Sequence, residues 1–205
     1  LSKGISWITF QNECAAIRID DQLCKQGKGI TLYSSFKQNL KGDKIYTVFE
    51  DSEGDEWILT NKGISIIGKK QVDSDFPFQY IKEADGIIYL VSQSDKLASY
   101  NFKTRQFKFI EIPYHVSMIN EVKKFDSNTL LLATDNGLII YKIKEKEFQL
   151  IDIRTSTQPS NVVQSVYQDH YKELWIFPQT TGVIRYNPST KEMQHLFTPA
   201  NEVIR

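Results

Sequence analysis

An acid-opened polar turn that leads into a large apolar residue and closes on glycine recurs along this chain. That recurrence constrains its fold more than any other feature. The stretch EDSEGDEWILTNKG, Glu50 to Gly63, shows it most fully. QDHYKELWIFPQTTG, Gln168 to Gly182, keeps the order of acid, turn, Trp175, small polar residues and Gly182. KFDSNTLLLATDNG, Lys124 to Gly137, has Leu131 in the tryptophan position and one residue fewer in the turn. EADGIIYLVSQSDK, Glu83 to Lys96, is a worn copy with Tyr89 there. Trp57, Tyr89, Leu131 and Trp175 are thus separated by 32, 42 and 44 residues. Self-similarity at a period of about 40 residues marks a repeat architecture.

Each copy continues in the same way. A short apolar run ends in an aromatic residue in GLIIY (Gly137–Tyr141), GVIRY (Gly182–Tyr186) and KLASY (Lys96–Tyr100). Seven residues beyond stand Phe148, Met193 and Phe107, across the polar, turn-forming segments KIKEKE, NPSTKE and NFKTRQ. The segments FQLIDI, MQHLF and FKFIEI then alternate apolar and polar residues, as half-buried strands do. Near the N-terminus the same offset runs from Leu23 to Ile30, followed by ITLYS, whereas the copy that reaches Ile67 loses it. Each unit reads as four short antiparallel strands, and helical spacing is nowhere sustained. A sandwich supplies strands at similar intervals but no reason for a repeat. The expected class is all-β: a β-propeller built of four-stranded antiparallel blades.

The 205 residues hold four to five such blades in a single domain, with approximate repeats 1–35, 45–79, 80–113, 119–154 and 162–198. The chain opens inside a repeat and ends on NEVIR, which matches the start of INEVKKF, so a segment of a larger propeller is expected. Within the repeat, Asp51 and Asp169 are placed to accept hydrogen bonds from backbone amides two residues on. Gly54 would take a positive φ. Trp57 and Trp175 supply wide plates against a neighbouring blade. Asp51, Trp57, Gly63, Asp169, Trp175 and Gly182 are accordingly read as structural.

The segments IYTVFEDSEGDEWILTNKGISII and VVQSVYQDHYKELWIFPQTTGVIRYNPSTKEMQHL resemble the two-component regulator propeller repeat. That pattern runs branched aliphatic, acid-Asp turn, Gly, Trp-Ile, Thr, Gly-Leu and a closing Tyr. The resemblance covers most of the chain. It departs at Pro178, where the family prefers a small residue, and at Tyr89 and Leu131, which replace tryptophan. It implies a non-catalytic sensor region in the periplasm, part of an inner-membrane hybrid two-component protein of Bacteroidetes. It further implies an oligosaccharide ligand, a histidine kinase downstream in the same polypeptide, further blades, and a homodimer of the full-length protein. The alternative is a propeller scaffold for protein–protein interaction, which the same architecture serves. A propeller hydrolase or lyase ranks below both, because no paired acids or histidines converge in the sequence.

Composition narrows the partners. Lysine and arginine number 25 and aspartate and glutamate 25, giving zero net charge, which argues against a nucleic-acid binder. No apolar run approaches the length of a transmembrane helix. Cys14 and Cys24 flank AAIRIDDQL. A two-residue turn at Asp20-Asp21 would pair Ile17 with Cys24 and leave Cys14 out of register. They read as free thiols, with a disulfide as the alternative.

Catalytic and metal-binding patterns are not found. GISIIGKK, Gly63 to Lys70, approaches a phosphate-binding loop, but Lys70 stands where a magnesium-ligating hydroxyl is required. The segment also falls on a blade's third strand. His115, His170 and His195 lack metal-ligand spacing and read as surface residues, and the turns at Asp51, Asp126 and Asp169 carry too few oxygens for calcium. No cofactor is expected. Any ligand site belongs on the loops that join blades and those that join second to third strands, which open on one face of a propeller. These loops offer the rings of Phe76, Phe78 and Tyr114 and the polar groups of Asn39, Asn61, Lys62, Arg154 and Gln179. Aromatic plates with amides and charges nearby are what a sugar-binding surface needs. Each of these rings is at least as well placed to plug a gap beneath the loops, Phe76 and Phe78, which flank Pro77, most of all.

Overall fold

The computed structural model describes residues 5–10, 15–34, 40–68, 75–84, 86–92, 94–101, 104, 106–156, 158–180 and 182–196. Among them, strands form five antiparallel sheets, each a meander in which neighbours in sequence are neighbours in space. The first sheet comprises β1 (Ile5–Phe10), β2 (Ala15–Asp20) and β3 (Ile30–Ser34), with the helical turn α1 (Asp21–Cys24) between the last two. The second comprises β4 (Ile45–Glu50), β5 (Glu56–Thr60) and β6 (Gly63–Ile67). The third has β7 (Tyr80–Ala84), β8 (Ile87–Val91), β9 (Leu97–Asn101) and β10 (Gln106–Ile110). The fourth has β11 (Ile119–Asp126), β12 (Thr129–Thr134), β13 (Gly137–Lys142) and β14 (Glu147–Ile151). The fifth has β15 (Val163–Gln168), β16 (Leu174–Pro178), β17 (Val183–Tyr186) and β18 (Met193–Leu196). The chain divides into two compact units, Leu1–Ser92 with Ala98–Phe109, and Gln93–Leu97 with Ile110–Arg205.

Packing within the first unit explains why β5 reads EWILT and is buried along its whole length. Alternate side chains of a strand point to opposite faces. Ile58 packs with Ala16, Tyr33, Leu40 and Ile45, joining the first and second sheets. Trp57 and Leu59 point the other way, into a cluster with Phe78, Ile81, Ile88, Leu90 and Tyr100 that joins the second and third. In the second unit Leu131 and Ala133 on β12 meet Val163, Val166, Leu174 and Ile176 of the fifth sheet. Neither sheet could bury such residues alone, which is the physical reason for repetition.

The acid turns have one geometry in two copies. Asp51 Oδ1 accepts from the Glu53 and Asp55 amides at 2.9 and 3.0 Å, and its Oδ2 accepts from Trp57 Nε1 at 2.8 Å. Asp169 repeats this with the amides of Tyr171 and Glu173 at 2.9 and 3.0 Å and Trp175 Nε1 at 2.9 Å. The carboxylate therefore ties the turn to the tryptophan six residues on. In the Lys124 copy, Asp126 bonds the Asn128 amide at 2.7 Å, and Leu131 has no donor to offer. The bond from Trp175, first among the causes, holds the Asp169 carboxyl below its usual range. Removing the donor in Trp175→Phe should raise the Asp169 carboxyl pKa, read by NMR titration of the carboxyl carbon. An unchanged value would mean that the turn amides alone set it.

Gly54 and Lys172 occupy equivalent places in these turns, with φ of 84° and 67°. The left-handed region costs an ordinary residue about 1 kcal/mol. Lys172→Gly should therefore stabilise the fold by about 0.5–1 kcal/mol after the flexibility glycine adds to the unfolded chain. Urea unfolding would measure the gain, and a loss would show that the Lys172 side chain supplies more than strain.

The first sheet differs from the sequence expectation. Leu23 lies on α1 and not at the end of a third strand, because Asp20 Oδ1 accepts from the Gln22 and Leu23 amides, both at 3.1 Å, and turns the chain into a helical cap. Ile17 consequently pairs with Leu32, not with Cys24. Cys24 is an exposed free thiol, and Cys14 lies outside the described residues. The second sheet shows three strands among the described residues, and 69–74, where a fourth would run, fall outside them. Gly63 to Ile67 of the apparent phosphate loop form β6.

Candidate functional site

The loops that join second to third strands are built alike. In the second sheet Thr60 Oγ1 donates to the Gly63 carbonyl at 2.9 Å and accepts from the Lys62 amide at 3.2 Å. In the fourth, Thr134 does the same with Gly137 and Asn136, at 2.7 and 3.1 Å. The residue after each threonine is pinned to the loop entering the same blade. The Asn61 amide donates to Lys44 O at 3.1 Å and that of Asp135 to Met118 O at 3.0 Å, and in the fifth sheet Gln179 donates to Val162 O at 2.9 Å. Strand-joining and blade-joining loops therefore share one surface within each unit.

Side chains reinforce the join. Asn61 Oδ1 accepts from the Asp43 and Lys44 amides, both at 3.2 Å, and its Nδ2 donates to Asp43 Oδ1 at 2.6 Å. Lys62 Nζ completes the group 3.0 Å from Asp43 Oδ2. Asn61 first, then Lys62, holds the Asp43 carboxyl below its ordinary range. In the second unit Asp135 accepts from the Ser117 amide at 3.1 and 3.2 Å, and Asn136 Nδ2 donates to His115 O at 2.9 Å. Buried Asn161 links the loop between the fourth and fifth sheets to this turn. Its Oδ1 accepts from Ile153 N at 2.9 Å, its carbonyl from Gly137 N at 2.7 Å, and its Nδ2 donates to Asn136 Oδ1 at 3.1 Å. Sequence reasoning missed Asp135, Asn136 and Asn161, although the match of TDNG to TNKG carried the signal.

The other residues picked from the sequence fall into distinct settings. Phe78 is buried at 1% exposure in the core between the second and third sheets, and Phe76 packs half-buried on it with ring centres 4.8 Å apart. Both are plugs. Tyr114 is half-buried, and its hydroxyl donates to Phe148 O at 3.1 Å. Arg154 is exposed and clasps Asp152 through Nε and a terminal nitrogen, which holds the Asp152 carboxyl low. Gln179 is exposed, and Asn39 lies outside the described residues. His115 and His170 are exposed, whereas His195 is half-buried and its pKa is lowered by that burial. Among the described residues no three His, Cys, Asp or Glu side chains converge as metal ligands. In the second unit this surface offers the side-chain amides of Asn136 and Gln179, the Asp135 carboxylate, backbone groups and the Arg154 guanidinium paired with Asp152.

No family model matches the sequence. The histidine kinase P4 of Formosa agariphila is 22% identical over 156 residues, which span 76% of this chain and 9% of that protein. The extracellular domain of the hybrid two component system BT3049 from B. thetaiotaomicron matches 88% of this chain with a TM-score of 0.67 and 20% identity. Virginiamycin B lyase from Staphylococcus aureus matches 97% of it with a TM-score of 0.69 and 19% identity. The fold is a β-propeller. The five sheets are its blades. This chain spans 25% of the extracellular-domain structure and 68% of the lyase.

Proposed function

We propose that this chain is the ligand-sensing part of a membrane-bound hybrid two-component protein, placed in the periplasm, and that its ligand is an oligosaccharide. One observation supports this reading most: sequence and fold point the same way. The sequence is similar to a histidine kinase, and the blades are similar to the extracellular domain of a hybrid two-component system. A propeller of this kind acts without catalysis. Its kinase lies elsewhere in the polypeptide and phosphorylates in response to a shift in population, the ligand favouring one arrangement of a homodimer through differential affinity.

In the second unit the ligand would contact the surface formed by the turn at Asp135-Asn136, the loop bearing Arg154, and Gln179. The turn is held rigid by Asn161, so little ordering cost attends binding. Titration of an oligosaccharide panel into the complete sensor region is the test, repeated with Arg154→Ala and Gln179→Ala. The expected result is binding of one glycan class, weakened about tenfold, or 1.4 kcal/mol, in at least one variant. Undiminished affinity in both would move the site off this surface, and absence of binding across the panel would remove the oligosaccharide reading.

A further inference from the structure

The place that Glu56 takes in the repeat belongs to an apolar residue elsewhere. Glu56 precedes Trp57 on β5, as Ile88 precedes Tyr89, Leu130 precedes Leu131 and Leu174 precedes Trp175. Ile88, Leu130 and Leu174 are all 0% exposed. Glu56 is withdrawn almost as far, at 9%, and brings a carboxyl into that slot. A second acid stands directly opposite, since Glu50 pairs with Glu56 across β4 and β5. Facing residues of an antiparallel pair hold their Cβ atoms about 5 Å apart, where like charges repel. In the third, fourth and fifth blades the same pairs are Glu83 with Ile88, Lys124 with Leu130 and Gln168 with Leu174. Of these four blades only the second sets two acids together.

One cation serves them. Arg18 reaches over from β2 of the first blade, with Nε 3.0 Å from Glu56 Oε1, one terminal nitrogen 3.5 Å from Glu50 Oε2 and the other 3.5 Å from Asp20 Oδ2. None of the four side chains is more than 19% exposed. Arg18 Nε lacks the alignment of a hydrogen bond, and buried Glu50 Oε2 accepts none. The Tyr33 hydroxyl on β3 also bonds to Glu56, β6 offers it Ile67, and β1 has no titratable side chain. With every acid ionised, three negative charges would share one guanidinium in a joint largely closed to water. Burial, the largest cause, lifts the Glu56 carboxyl above its ordinary range, Glu50 adds to the rise, and Tyr33 and Arg18 offset it only in part.

We propose that the joint between the first and second blades is a proton switch: in mildly acid surroundings Glu56 takes up a proton from solvent, donates through it to Glu50 Oε2, and the two blades hold together more firmly. The new O–H supplies the donor that Glu50 Oε2 lacks. It turns a repulsion across the ladder into a bond and leaves Arg18 to Glu50 and Asp20. The chain thus responds to acidity independently of any oligosaccharide. Glu56 binds its proton more readily in the closed joint than in an open one, so the joint gains stability as pH falls. That contribution is complete below the free carboxyl's value, about 4.3, and is lost as pH rises through the raised value of the closed joint. The lowered carboxyls of Asp43, Asp152 and Asp169 act in the opposite sense, which makes a local readout necessary.

Hydrogen exchange in the intact polypeptide provides it, read by mass spectrometry on peptides from β2–β3 and β4–β5 and corrected for the intrinsic pH dependence of amide exchange. Peptides from β12–β13 and β16–β17, where Leu130 and Leu174 stand in place of the carboxyl, serve as the internal reference. Between about pH 7.5 and about pH 5.5, protection at the joint relative to the reference should rise at least about threefold, within the roughly hundredfold that one proton allows. Glu56→Gln is neutral at every pH and keeps a donor for Glu50, so it should start at the protected level and show no rise. Glu50→Gln should shrink the rise by removing the neighbouring charge. Relative protection that stays flat or falls on acidification overturns the proposal, and so does a rise that survives in Glu56→Gln. A joint that Glu56→Gln leaves less protected at both pH values would show that an ionised carboxylate holds the blades together, and overturns it equally.

Discussion

Trp57→Ala is expected to lower the free energy of unfolding by about 3–5 kcal/mol. The indole is 0% exposed, meets Tyr100 edge-on with ring centres 5.4 Å apart, and packs against Phe78, Ile81 and Ile88. Removing it opens a cavity between two sheets that are each pinned by their own hydrogen-bond ladders and cannot collapse far. The same change removes the donor that satisfies Asp51 Oδ2 at 2.8 Å, in a turn where Asp51 is only 5% exposed. Trp57→Phe separates the two effects, keeping most of the apolar bulk while removing the indole's hydrogen bond to that oxygen. It should cost about 1–3 kcal/mol. Trp175 repeats the bond but is half-buried, on an exposed turn, so Trp175→Ala should cost less than half as much as Trp57→Ala. Equilibrium urea unfolding followed by circular dichroism measures all three. Equal costs at 57 and 175 would show that the hydrogen bond, and not the inter-blade packing, sets the value of this residue.

That contrast marks where the sequence was informative. The repeat of acid, turn and large apolar residue is a one-dimensional pattern, and strand alternation follows from it locally, so the blades could be read from residue order. The bond from Trp57 to Asp51 could not, since a contact between side chains six apart depends on the path of the turn between them. The helical cap at Asp20 misled for a related reason. Asp20-Asp21 has the composition of a tight hairpin, but a side chain that can bond two successive amides converts it into a turn of helix. Trp7-Ile8, matched to Trp175-Ile176, was the signal that would have placed β1 as a second strand of a blade. The candidate site was less legible still. Asn61 and Lys62 read in sequence as free polar loop groups, yet both are engaged with Asp43, and Phe78 reads as a stacking plate, yet its ring lies in the core. Loop polarity is shared between holding the loops together and meeting a ligand, and sequence does not distinguish the two uses.

The closing glycine of the repeat explains the second large effect. Gly63, Gly137 and Gly182 all have positive φ, of 126°, 103° and 105°. At Gly137 a side chain faces an obstacle as well as strain, because a Cβ would lie 2.6 Å from the Ile151 carbonyl oxygen and 2.9 Å from Leu150 Cδ1. Ile151 is paired with Leu138 in the ladder of β13 and β14, so the oxygen cannot withdraw without opening that ladder. Strain and overpacking together should make Gly137→Ala cost about 3–5 kcal/mol. Gly54→Ala is the control. It too has a positive φ, of 84°, but nothing lies within 4 Å of the added carbon, and Lys172 already occupies the equivalent place. It should cost about 1 kcal/mol. Comparable losses for the two variants would mean that φ alone demands glycine and that the close approach of β14 contributes nothing. A large loss confined to Gly137 has a functional corollary, since its amide donates to Asn161 O at 2.7 Å. Pushing that turn outward breaks the link among Gly137, Asn161 and Asn136 that holds the proposed ligand surface rigid, so residual folded Gly137→Ala protein should bind more weakly even with Arg154 and Gln179 intact.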